Sequence, residues 1–197
     1  MHDHGRPEPD DVERFYADGP RWSGLPNEAL VHEAGRLTPG RALDIGCGEG
    51  ADAVWLAEQG WEVTAIDPVA AALERARTLA DAHGVTHRIT FRQQDLTGFL
   101  DSALGTFDLV AGSYVPLPED RDLATGICRL VGPGGALVWI HHLFDIREER
   151  MILDPGYLEP FAVAEFGGSM TYPAERNVTS GAGAHHHMDV VLRATRF

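Results

Sequence analysis

From Arg41 onward, short apolar runs alternate with stretches whose apolar residues recur at helical spacing. Ala42 to Ile45, Glu62 to Ile66, Ile89 to Arg92, Phe107 to Gly112 and Ala136 to Ile140 read as five buried strands. Between them, Asp52 to Gln59 sets Ala53, Leu56 and Ala57 on one helical stripe. Pro68 opens a helix that runs to about His83 and is ended by Gly84, and Arg121 to Leu130 forms another. A helix from about Glu28 to Arg36 precedes the first strand. Strands and helices in regular alternation predict an α/β domain with a mostly parallel sheet and helices on both faces.

The two ends are less regular. Met1 to Asp11 is polar and is expected to be frayed, Asp11 to Ala17 can begin a short helix, and Gly19, Pro20, Gly24 and Pro26 impose an irregular loop. Residues 1–40 therefore read as an arm with cap helices on a domain of residues 41–197, in a single-domain protein. Pro133-Gly134-Gly135 is expected to turn the chain into the fifth strand. Residues 144–160 are charged and then broken by Pro155-Gly156, which suits a lid. Phe161 to Phe166 is expected to be a strand, and the β-branched content of Met188 to Phe197 fits a last one.

The chemistry concentrates between Asp44 and Asp67. Asp44-Ile45-Gly46-Cys47-Gly48-Glu49-Gly50 is a strand end running into a glycine turn and a helix. A side chain at these glycines would block the turn or keep a ligand from the backbone amides, so the amides are expected to face the ligand. Asp67 closes the second strand about 20 residues later, where an acid can accept both hydrogen bonds of a ribose diol. The turn carries Asp44, Glu49 and Asp52, which would repel a pyrophosphate and suit a cationic ligand. S-adenosylmethionine, with an ammonium and a sulfonium, is such a ligand.

The segment resembles the first motif of class I S-adenosylmethionine-dependent methyltransferases, an acid followed by Gly-x-Gly-x-Gly. Tyr16 to Ala29, with Trp22-Ser23-Gly24-Leu25-Pro26-Asn27, and Pro39 to Asp44 are similar to small bacterial methyltransferases of the tellurite-resistance and thiopurine (thiol) groups. The resemblance implies a Rossmann-like fold with a seven-stranded sheet whose last strand is antiparallel and inserted between strands five and six. It implies a cofactor site at Asp44, Gly46, Cys47, Gly48, Asp67, Pro68, Asp95, Leu96 and Ser113, with Asp95-Leu96 meeting the adenine. The arm would contribute to the cover of the active site, which makes Tyr16, Trp22 and Asn27 candidates to touch the acceptor; Trp22 is equally a core anchor for the arm.

Ligands of open α/β sheets lie beyond the carboxyl ends of the strands, so Ser113 and Tyr114 should face the transferred methyl. An Asn-Pro-Pro-Tyr sequence, the mark of many amino-group methyltransferases of nucleic acids and proteins, is absent. His141-His142 end the fifth strand and are candidate bases for a phenol or alcohol acceptor, with Tyr114 as a further catalytic candidate touching the acceptor; a thiolate, selenide or telluride would need no base. His185-His186-His187 leave open a substrate-facing residue, His187, simple exposure or a metal. Consecutive strand residues point to opposite sides, so the three cannot all serve one ion without a bend.

The chain has 197 residues, enough for one well-buried domain, and its formal net charge is −14 with all 16 basic residues arginine. Such charge opposes polyanions, so no nucleic-acid or membrane partner is expected and a small-molecule substrate is favoured. Two distant cysteines, Cys47 and Cys128, indicate no disulfide framework, and the start lacks the features of a signal peptide; a cytoplasmic location is expected. Two other classes share parts of this pattern. A nicotinamide-dependent oxidoreductase uses the same strand-turn-helix unit with a different glycine spacing, and a non-catalytic module would keep the cofactor pocket with no acceptor site.

Overall fold

A computed structural model describes residues 19, 21–102, 105–143, 153–166, 168–181 and 184–197. Tyr16, the expected helix from Asp11 to Ala17 and most of the expected lid (144–152) lie outside the described residues.

The chain runs α1 (Glu28–Ala34), β1 (Arg41–Ile45), α2 (Ala51–Glu58), β2 (Glu62–Asp67), α3 (Ala70–Ala82) and, after a 3₁₀ turn at Thr86–Arg88, β3 (Ile89–Gln93). It continues α4 (Leu96–Leu100), β4 (Phe107–Ser113), α5 (Arg121–Leu130), β5 (Val131–His142), α6 (Pro155–Phe166), β6 (Ser169–Glu175) and β7 (Met188–Thr195). The seven strands form one sheet in the order β3-β2-β1-β4-β5-β7-β6. β1 to β5 pair in parallel, whereas β7 is antiparallel to both β5 and β6, as the resemblance implies. This is the Rossmann-like methyltransferase arrangement.

Strand alternation places the two cores. On β5, Ala136, Val138 and Ile140 pack with Leu30, Leu56 and Trp61 on one face, and Leu137 and Trp139 pack with Phe107, Ile127 and Leu158 on the other. Both faces are covered, which is why the strands read as near-continuous apolar runs. Both cysteines are free and buried, and no described helix is long and apolar enough to cross a membrane.

Four elements differ from the sequence reading. Residues 161–166 are the second half of helix α6, not a strand: Leu158, Ala162 and Phe166, spaced four apart, are buried, and Pro155 takes the first helical position, where its missing N–H costs nothing. The Gly132-Pro133-Gly134-Gly135 stretch lies within β5 as a bulge, because the register jumps from Phe107↔Val131 to Leu109↔Ala136. The edge strand β6 and the five-residue helix α4 are both additions to the expected elements.

Candidate active site

The strand order reverses between β1 and β4, and a cavity of about 540 Å³ opens there, beyond the carboxyl ends of the strands. One wall is the glycine turn. Gly46 has φ +67° and an added Cβ would lie 2.8 Å from Val115 Cγ1; Gly50 has φ +86° and its Cβ would lie 2.7 Å from Ala76 Cβ. Glycine is thus required by contacts inside the protein. The turn's amides correct the sequence expectation: Cys47 donates to the Ile66 carbonyl, Gly50 to the Cys47 carbonyl and Gly48 to Asp67 Oδ2. They brace the turn instead of facing a ligand.

The carboxylates carry the site. Asp67 Oδ2 and Oδ1 accept from the Gly48 and Val69 amides at 2.9 Å each, which fixes the acid on the cavity wall with acceptor capacity left on both oxygens. Asp52 accepts from the Asn27 amide at 2.7 Å and the Ser113 hydroxyl at 2.8 Å. Asp44 is 2 % exposed, and its Oδ2 has no hydrogen-bond partner. Burial, then the Asp52 and Asp67 charges, hold the Asp44 carboxyl well above the ordinary 3.8, against a lowering bond from the Ala53 amide. Burial raises Asp52 and Asp67 as well. Two buried acids, one with an orphaned oxygen, and the half-buried Asp52 surround the cavity, an arrangement that suits a cationic ligand.

The arm lies across the turn. Glu49 accepts from the Arg21 and Trp22 amides at 3.1 Å and pairs with Arg75 Nη1 at 2.9 Å. Trp22 lines the cavity and packs on Val69 and Ala72 next to Asp67, so it lies beside the residues expected to hold the cofactor. Pro68, Asp95 and Leu96 also line the cavity. Asp95 caps α4 by accepting from the Gly98 amide at 2.8 Å, the structural role open to an acid after a strand. Cys47 lines the turn, and burial pushes its thiol up, away from the thiolate form.

At the opposite end stands Tyr114. It is the one non-glycine among the described residues with positive φ, +57°, a conformation costing about 1–2 kcal/mol. Its hydroxyl donates to Asp189 Oδ2 at 2.6 Å and accepts from Asn27 Nδ2 at 2.7 Å and Arg176 Nε at 3.0 Å. These three bonds tie the arm, β7 and the segment after β6 to the exit of β4. Burial and Asp189 raise the phenol's pKa, so it stays protonated at neutral pH.

The histidines sit elsewhere than expected. Neither His141 nor His142 lines the cavity. Pairing of His142 with Asp189 across β5 and β7 puts the acid in the wall and the imidazole behind it, with Nδ1 3.0 Å from Asp189 Oδ1. His142 stacks between the rings of Tyr114 (4.1 Å) and His186 (4.3 Å). His141 is 5 % exposed, and burial and His142 lower its pKa to about 4. His187 is exposed and away from the cavity. No group of three His, Cys, Asp or Glu converges as a metal site among the described residues.

Asp189 and Arg176 are wall residues missing from the sequence reading. Asp189 had a signal, a lone acid among Met188, Val190, Val191 and Leu192 in a strand; Arg176, in a segment without periodicity, had none.

Residues 42–135 match the family described as Methyltransferase domain. The release factor glutamine methyltransferase of Chlorobaculum tepidum is 44% identical over 105 residues, 47% of this chain and 36% of that protein. A ubiquinone biosynthesis O-methyltransferase of Alkalilimnicola ehrlichii is 31% identical over 154 residues, 71% of this chain and 59% of that protein. The chain thus spans about a third to three-fifths of the length of these two relatives. The N-methyltransferase NodS of Bradyrhizobium japonicum, solved with S-adenosylhomocysteine, shares the fold, with a TM-score of 0.75, 19% identity, and coverage of 95% of this chain and 97% of that one. With the sheet order, these likenesses show that residues 42–135 match a methyltransferase domain, on the Rossmann-like methyltransferase fold.

Proposed function

We propose that the protein transfers the sulfonium methyl of S-adenosylmethionine to a small-molecule nucleophile by in-line displacement. The observation that carries this reading is the orphaned, buried Asp44 oxygen beside Asp52 and Asp67, which suits a ligand ammonium. In this reading Asp44 holds the amino-acid end, Asp67 the ribose hydroxyls, and Trp22, Val69 and Leu96 the adenine faces. Bound there, the cofactor supplies an electrophilic methyl on sulfur. The chain's own contribution is alignment at near-attack distance and exclusion of water, which is worth up to roughly 7–11 kcal/mol.

Two features favour a small acceptor. The cavity, about 540 Å³, is within the range that takes a cofactor or drug-sized ligand, and the arm crosses it. The net charge of −14 opposes a nucleic-acid substrate. The acceptor heteroatom on this reading is sulfur, selenium, tellurium, oxygen or nitrogen.

The test is S-adenosylhomocysteine release from S-adenosylmethionine across thiols, selenite, tellurite, halides, phenols and small amines. Turnover on at least one is expected. Tight cofactor binding with no release on any of them would instead make the chain a non-catalytic binder.

A further inference from the structure

We propose that Asp189 takes the acceptor's proton, and that the acceptor is accordingly a neutral O–H or N–H compound rather than a thiolate or an oxyanion of selenium or tellurium. This rests on the methyltransferase reading above and narrows it.

Asp189 is 3 % exposed and stands in the cavity wall next to Tyr114, at the exit of β4. Tyr114 donates to Oδ2, and His142 Nδ1 lies 3.0 Å from Oδ1. A carboxylate offers about four lone-pair directions, so two remain for a donor entering from the cavity. The other titratable groups nearby are poorly suited to the task. The Tyr114 hydroxyl donates once and accepts twice, its full capacity, and its raised pKa keeps its proton in place. His141 is outside the wall. His142, clamped between two rings behind Asp189, is a positioning residue: protonated at Nδ1, it donates to the carboxylate and fixes its plane.

Charge selects the acceptor's ionisation state. Arg176 is the one cationic residue in the wall among the described residues, and it is engaged with the Tyr114 hydroxyl through Nε and the His186 carbonyl through Nη1. Glu28, Glu175 and Asp189 share that end of the cavity. An anionic acceptor meets three carboxylates against one guanidinium. A neutral donor instead gains a charge-assisted hydrogen bond to Asp189.

The step balances as follows in atoms and electrons. The acceptor's O–H or N–H bond breaks toward Asp189 and its electron pair remains on the heteroatom, where a pair forms the new bond to the methyl carbon. The former carbon–sulfur pair stays on sulfur, neutralising the sulfonium. Asp189 becomes a carboxylic acid and returns the proton to water when the product leaves.

The test compares the wild type with Asp189→Asn, which keeps the shape and an oxygen for Tyr114, and with Asp189→Glu, which restores a carboxylate. The probes are catechol and aniline against 2-mercaptoethanol and tellurite. Wild type is expected to release S-adenosylhomocysteine with catechol or aniline, Asp189→Asn to lower kcat at least 100-fold, in the range of a lost general base, and Asp189→Glu to recover part of it. Affinity for S-adenosylhomocysteine should stay within twofold in both variants. Independently of turnover, ligand-observed NMR should show catechol or aniline binding to the S-adenosylhomocysteine complex, at least tenfold weaker in Asp189→Asn. Turnover confined to mercaptoethanol or tellurite overturns the proposal and leaves methyl transfer standing. So do full catechol turnover by Asp189→Asn, or no binding of either neutral probe to the complex. Absence of S-adenosylmethionine binding, visible before any acceptor is added, removes the methyltransferase reading itself.

Discussion

Asp44 is the residue at which burial and charge are most opposed. Its carboxyl is held above the ordinary 3.8 by burial first and by Asp52 and Asp67 second, so the ligand-free site holds its proton to a higher pH than an ordinary carboxyl does. A ligand ammonium reverses that preference, because a nearby cation favours the carboxylate. Binding therefore releases a proton wherever the free site still holds one. Affinity should rise with pH through the range in which the free Asp44 carboxyl loses its proton, by at most tenfold per unit for this one group, and level off above it. Calorimetry with S-adenosylhomocysteine in buffers of different ionisation enthalpy reads the released proton directly; proton uptake, or affinity falling with pH, would contradict the assignment. Asp44, Asp67 and the glycines were legible in the sequence because one short βαβ unit places them. The role of the amides was not, since Gly48's partner is a side chain 19 residues away. Asp189 and Arg176 were harder still: their places depend on how β7 pairs with β5 and β6, which a single sequence does not display.

Elements followed the hydrophobic pattern where one face is apolar, and departed from it where apolar residues surround the axis. In α6, Leu158, Ala162 and Phe166 face the core, yet Val163 is 46% exposed and Pro155, Gly156 and Pro160 read as breakers. The edge strand β6 carries Pro173 and an exposed Met170, features tolerated at a sheet edge that blur the alternation a strand shows in sequence. Packing, not local propensity, makes α6 a helix. Leu158 is fully buried and absent from the cavity wall, so Leu158→Ala should cost about 2–5 kcal/mol in denaturant unfolding. S-adenosylhomocysteine affinity should be unchanged. A loss of affinity matching the loss of stability would place α6 within the site.

In the molecule as a whole, the parallel strands and helix α2 supply Asp44, Asp67 and Asp52, and the antiparallel half of the sheet supplies Asp189 and, just past β6, Arg176, with the cavity between them. The arm joins the two ends: the Asn27 amide donates to Asp52 and its side chain to Tyr114, while Gly181 packs so closely on the arm that an added Cβ would lie 2.7 Å from Ser23 N. The end lined by Asp44, Asp52 and Asp67 was legible from the sequence, and the end lined by Tyr114, Asp189 and Arg176 was assembled only by the fold. The central claim is that the acid-lined end holds S-adenosylmethionine. Its most direct test is a calorimetric titration of S-adenosylmethionine into wild type and Asp67→Ala, with NADH as competitor. One equivalent should bind wild type, NADH should not displace it, and Asp67→Ala should bind at least tenfold more weakly, since each charge-assisted bond contributes about 1.5–3 kcal/mol. No heat with S-adenosylmethionine, displacement by NADH, or an unchanged dissociation constant in Asp67→Ala would contradict the account.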